Sequence, residues 1–61
     1  MDIIIKINCD NAAFENLNEE VARILRKLAD GVDYGNEISR STVKRIMDSN
    51  GNRVGQLEAL E

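Results

Sequence analysis

Residues 2–8, DIIIKIN, alternate along the chain, with Ile3, Ile5 and Ile7 on one side and Asp2, Ile4 and Lys6 on the other. Period-two alternation of this kind predicts a strand over 2–8. Ile4 interrupts its polar face. At Leu17 the period changes, and Leu17, Val21, Ile24, Leu25 and Leu28 fall on one stripe of a helix predicted over 17–30. Asn16 stands three residues before Glu19, the spacing of a capping box. Glu19–Arg23 and Arg26–Asp30 are spaced i,i+4 on its polar face, pairs worth about 0.2–0.5 kcal/mol each. Gly31 fits a left-handed residue just past the helix, with Val32 folding back towards Leu28. Between strand and helix, CDNAAFENLNEE is rich in asparagines that compete for backbone hydrogen bonds, so a loop or a single turn is expected there. Residues 32–40, VDYGNEISR, have mixed polarity and no period, which predicts a connecting loop with Tyr34 or Ile38 tucked in.

The stretch SRSTVKRIMDSNGNRVG, residues 39–55, supports two readings. As a helix over 39–48, it places Val43, Ile46 and Met47 at i, i+3 and i+4, with Ser39 or Ser41 as cap. SRSTVKRIM then resembles the recognition helix of lactose-repressor-type regulators, and Arg40, Thr42, Lys44 and Arg45 would face the groove and phosphates. Residues 39–53 carry four basic residues against one acid, a polarity that could orient a domain on DNA. Against this, about eight loop-like residues separate the stretch from the preceding helix, whereas a helix-turn-helix needs a tight turn of three or four. No third helix completes a trihelical core, and Thr42 and Val43 are β-branched.

As a hairpin over 42–59, every step has a mechanism. DSNGN offers Asp48 at the first position of a type I turn and Gly51 where positive φ is required. That register sets Asp48 opposite Asn52, Ile46 opposite Val54 and Val43 opposite Leu57. A two-residue turn on Asn50–Gly51 makes one apolar pair, Met47–Val54, and sets Asp48 opposite Arg53. Cross-strand pairs contribute about 0.2–1 kcal/mol each, so the first register is preferred. The expected fold is α+β, of order β-α-β-β, with one helix packed on a three-stranded sheet ending in a hairpin, in a single domain over 1–61.

DNAAFEN, EEVARILRKLAD and DSNGNRVG, after an isoleucine-rich start, together resemble a family of very small proteins encoded by bacteriophages and prophages. These share an Asn-Ala-Ala-Phe segment, a Glu-Val-Ala-Arg-Ile-Leu helix and a closing Asp-x-Asn-Gly-Asn-x-Val-Gly hairpin. The likeness covers residues 3–57 and departs at VDYGNEISRSTV. It implies an accessory phage protein acting in the host cytoplasm, without an assigned activity.

Composition narrows the chemistry. Sixty-one residues with one cysteine and no histidine can form neither an internal disulfide nor a within-chain zinc site. A chain this short buries only about 60% of its unfolded surface, so a second chain is the natural aid to stability. Two aromatics, Phe14 and Tyr34, give no stacking platform for single strands, and a net charge of −3 opposes general phosphate binding. DIIIKI is too short for a signal peptide's apolar core, and no stretch is long enough to span a membrane. Cys9 is therefore expected to be reduced, a small and partly buried hydrophobe.

Catalytic and metal motifs fall away on inspection. Asp48, Asn50 and Asn52 match the first ligand positions of a calcium loop, but its glycine position is Arg53 and its closing acid is Ala59. Ser41 and Lys44 satisfy Ser-x-x-Lys, yet on a strand they point to opposite faces. The acidic pair Glu19–Glu20 suits the helix dipole. No enzyme activity and no cofactor is expected. What is left is apolar surface: the helix covers Ile3, Ile5 and Ile7, and Ile4 points the other way. A face or sheet edge taken by another chain, either a host protein or a second copy, accounts for it, with Ile4, Lys6, Arg45 and Arg53 as candidate contacts.

Overall fold

A computed structural model describes residues 1–33, 38 and 41–60. It consists of β1 (Asp2–Ile7), a 3-10 turn (Ala12–Phe14), α1 (Leu17–Asp33), β2 (Val43–Met47) and β3 (Arg53–Leu60). The strands form one antiparallel sheet of order β1-β3-β2, with the helix against one face. This is the α+β arrangement of one helix on a three-stranded sheet that the patterning predicts. Tyr34, Ser39 and Arg40 lie outside the described residues, and Ile38 is half-buried.

The helix begins as its spacing predicts. The Asn16 side chain accepts from the Glu19 N–H at 3.4 Å, and its amide donates to Glu19 Oε2 at 3.0 Å. It ends later than expected, at Asp33, because Gly31 keeps helical backbone; among the described residues Gly51 is the one glycine with positive φ. The expected Glu19–Arg23 pair does not form, since Glu19 is held by Asn16, and Arg23 bonds Glu20 instead. Among the described residues Arg26 and Asp30 make no ion pair either.

The hairpin turn is the expected one, and its register is corrected. Gly51, at φ 82°, donates to the Asp48 carbonyl at 3.1 Å, and the Asp48 N–H donates to the Asn52 carbonyl at 2.8 Å. Beyond Met47–Arg53 a β-bulge inserts Val54, so Ile46 pairs with Gly55 and Val43 with Glu58, in place of Val54 and Leu57. The physical reason is burial: the extra residue lets Ile46, Val54 and Leu57 all turn inward, where an unbulged strand would split them between faces. A second irregularity opens β2. Ser41 has φ 66°, its N–H donates to the Ala59 carbonyl at 3.2 Å, and the Ala59 N–H donates to the Thr42 carbonyl at 2.9 Å. Two residues thus oppose one, with Ser41 in the left-handed position where such bulges usually carry glycine.

The core is Phe14, Ile24, Ile46 and Val54, flanked by Ile7, Cys9, Ala13, Val21 and Leu28. It sits at the turn end of the sheet. Towards the other end Leu57 and Ala59 are buried, but the helix covers less than its apolar stripe suggests: Ile3 and Ile5 stay 50% and 44% exposed, and Leu25 is exposed too. The expectation that the helix would cover Ile3 and Ile5 is therefore overturned. Phe14, delivered by the 3-10 turn capped by Asn11, fills core volume at the turn end.

Candidate functional site

Two polar constellations stand out, and their chemistry separates them. The first is internal. Asp48 is buried, and its carboxylate accepts four hydrogen bonds: from the N–H groups of Asn50 (2.9 Å) and Asn52 (2.8 Å), and from the side-chain amides of Asn11 (2.7 Å) and Asn52 (3.3 Å). Glu20, also buried, takes a bidentate pair from Arg23, with both contacts at 2.9 Å, and the Ser49 N–H at 2.8 Å. Arg23 then reaches the Met47 carbonyl at 3.3 Å. Asn11 also caps the 3-10 turn, accepting from the Ala13 N–H at 2.9 Å. One knot therefore ties the 3-10 turn, the first turns of α1 and the hairpin turn together.

Burial opposes the charge of Asp48, yet the N–H and amide donors of Asn52, Asn11 and Asn50 outweigh it and hold its carboxyl below its ordinary pKa. The Arg23 guanidinium, joined by the Ser49 N–H and opposed by burial, does the same for Glu20. In turn Glu20 holds Arg23 above its ordinary value. Both acids are ionised and saturated with donors, so neither is poised to hand over a proton at neutral pH. Asp48, Asn50 and Asn52, the calcium-like triplet, are bonded to one another within the turn. The knot is architecture.

The second constellation is the sheet face away from the helix, built by register. Ile4, Glu58 and Val43 form one cross-strand row, and Lys6, Gln56 and Arg45 the next. Met47 continues the alternation of Val43 and Arg45 along β2. Arg53 joins the face by donating from Nη2 to Gln56 Oε1 at 3.0 Å, and the Gln56 amide donates to Glu58 Oε1. Ile4, Lys6, Arg45 and Arg53, chosen from the sequence as contact candidates, thus share one surface. Three cations cluster about Gln56 at one end; Ile4, Val43 and Leu60 lie at the other, with Val43 57% exposed. Val43, Met47 and Leu60 were not among the candidates. Their outward direction depends on the bulge at Val54 and on the extent of β3, and sequence spacing shows neither.

The DNA-reading alternative fails on geometry. Val43–Met47 is a strand, so no recognition helix runs through 39–48. Thr42 and Lys44 take up the opposite face from Arg45, and Arg40 lies outside the described residues. Among the described residues no helix is long and apolar enough to cross a membrane. Comparison with protein-family models, curated proteins and solved structures gives no match for the chain.

Proposed function

We propose that this chain is a non-catalytic, phage-encoded accessory protein that binds a host protein through the open face of its sheet. The observation that carries the reading is the face itself. Exposed Ile4, Val43, Met47 and Leu60 adjoin Lys6, Arg45 and Arg53, on a chain whose overall charge is −3. A face of this make-up suits a partner that presents apolar side chains beside carboxylates. Interference with a host defence or regulatory complex is the form of action that suits a small binding module. Phage origin rests on the resemblance of DNAAFEN, EEVARILRKLAD and DSNGNRVG. Asn11, Glu20, Arg23, Asp48 and Asn52 are the knot, and Phe14, Ile24 and Val54 are core. In this chain those motif residues serve the fold, and we place recognition on the open face of the sheet. Arg53 stands at a position the pattern leaves open.

The test is capture from host lysate by the immobilised chain, comparing wild type with Arg45→Glu/Arg53→Glu. Both residues are exposed, so the variant stays folded, and the captured protein should be lost. Undiminished capture would move the interface elsewhere. Binding to random duplex DNA that weakens log-linearly with salt would replace the proposal with a nucleic-acid reading.

A further inference from the structure

We infer that the free edge of β1 is a self-association site, joining two copies of this chain about a two-fold axis at Ile4 into one six-stranded sheet. β3 lies between the other two strands, so among the described residues one edge of β1 is unpaired. The Asn8 N–H donates inward to the Val54 carbonyl at 2.8 Å. Because an antiparallel ladder alternates, the even residues of β1 face β3, and Ile3, Ile5 and Ile7 turn their backbone groups outward. The Ile7 carbonyl is contacted by Cys9 Sγ at 3.8 Å, which leaves Ile3 and Ile5 as the pairing residues.

Antiparallel pairing centred on Ile4 makes this edge complementary to itself. Ile3 and Ile5′ exchange both backbone bonds, as do Ile5 and Ile3′, where the prime marks the second copy. Ile4 and Ile4′ then form the close, non-hydrogen-bonded pair between them. On the same face as Ile4, Asp2 falls opposite Lys6′ and Lys6 opposite Asp2′. Moving the centre to Ile3 or Ile5 loses both ion pairs. On the helix side Ile3 meets Ile5′, covering two side chains that the helix leaves half-exposed. The apolar groove beside them, lined by Ile5, Leu25, Leu28 and Val32, is closed by the neighbouring copy.

The β2 edge behaves differently. Lys44 stands on its helix face and Arg45 at its centre, so the same two-fold pairing would set Arg45 against Arg45′. Charges in mid-strand guard that edge, while β1 has only isoleucines between its terminal charges. Because the axis is perpendicular to the sheet, both open faces lie on one side of the dimer.

Sedimentation equilibrium at low salt across the micromolar range tests this. Wild type should dimerise, and Asp2→Lys or Lys6→Asp should each weaken association about tenfold, because each change replaces two attractive cross-strand pairs with repulsive ones. An equimolar mixture of the two variants should form a heterodimer, since one chain then offers two lysines to the other's two aspartates. Wild type that stays monomeric, single variants that associate as wild type does, or a mixture without heterodimer would each overturn the inference. Both positions are exposed, and circular dichroism confirms that each variant is folded. Arg45→Glu/Arg53→Glu leaves the β1 edge unchanged and should dimerise normally, so failure of the partner-binding proposal is distinguishable from failure of this one.

Discussion

Replacing Gly55 with alanine tests the packing of the central strand most sharply. A Cβ at this position would lie 1.8 Å from the Lys6 carbonyl oxygen, 2.8 Å from its carbon and 3.1 Å from Ile7 Cα. All three are backbone atoms of β1, so no side chain can swing aside. The strands must part by more than an ångström where Gly55 faces Ile7 and Ile46. The neighbouring bonds at Lys6–Gln56 and Asn8–Val54 stretch with them. Weakening two or three backbone bonds at about 0.5–1.5 kcal/mol each, with overpacking at about 1–3, gives a loss of about 3 kcal/mol. A domain of this size has roughly 3–9 kcal/mol in all. Gly51→Ala is the control: nothing lies within 4 Å of its Cβ, and only the φ of 82° resists, at about 1 kcal/mol. Urea unfolding followed by circular dichroism, at one protein concentration, should rank Gly55→Ala far below Gly51→Ala, and thermal melts should show Tm values lowered by about 12–24 °C and about 4–8 °C. If Gly55→Ala is as stable as wild type or exceeds Gly51→Ala, the bulge at Val54 and the β1–β3 register are wrong.

The knot makes stability depend on pH in a definite direction. Both Asp48 and Glu20 have depressed folded-state values, so their contribution is present above the ordinary carboxylate range, near pH 4, and is lost as pH falls through the folded values. Unfolding midpoints should be level from about pH 7 to 5 and drop below about pH 4. Asp48→Asn sets an amide against the Asn11 and Asn52 donors, so it should lower the midpoint at neutral pH and flatten the acid slope; an unchanged slope would refute the assignment. Ser41→Gly removes a left-handed serine from the bulge that opens β2 and should raise stability by roughly 0.5 kcal/mol, after the greater unfolded-state entropy of glycine is set against the relieved strain. A loss in urea titration would mean that the serine side chain contributes more than its backbone costs.

The elements were legible where one local rule decided them. Alternation marked β1, the 3.6 period marked α1, Asn16 and Glu19 marked its start, and Asp48 with Gly51 marked the turn. The register beyond the turn was not legible, because the Val54 bulge is a compromise among Ile46, Val54 and Leu57 that only the helix arbitrates. The same limit hid Glu20. At the sequence level it is one of two adjacent first-turn acids, and nothing local distinguishes the one that reaches Ser49 from the one that caps Asn16. Of the candidate contacts, Ile4 and Lys6 followed from strand parity. Arg45 and Arg53 share their face through two different devices, the β2–β3 pairing and the bond to Gln56.

A 61-residue chain has few side chains to spare, and this one divides them sharply. Its buried acids Asp48 and Glu20, with Asn11 and Asn52 donating to Asp48, hold a hairpin turn against a helix start, work that larger domains leave to a bigger core. That leaves the open face of the sheet with ordinary residues: isoleucine, valine, lysine and arginine. The two edges of the sheet have been treated in opposite ways. β2 is charged at its centre, and β1 is apolar at its centre with opposite charges at its ends. Were solubility the sole constraint, both edges would carry mid-strand charge. An edge left apolar but flanked by Asp2 and Lys6 is protected against indiscriminate strand partners, and remains open to one whose charges run in the opposite order. The same strand read in the antiparallel direction has that order.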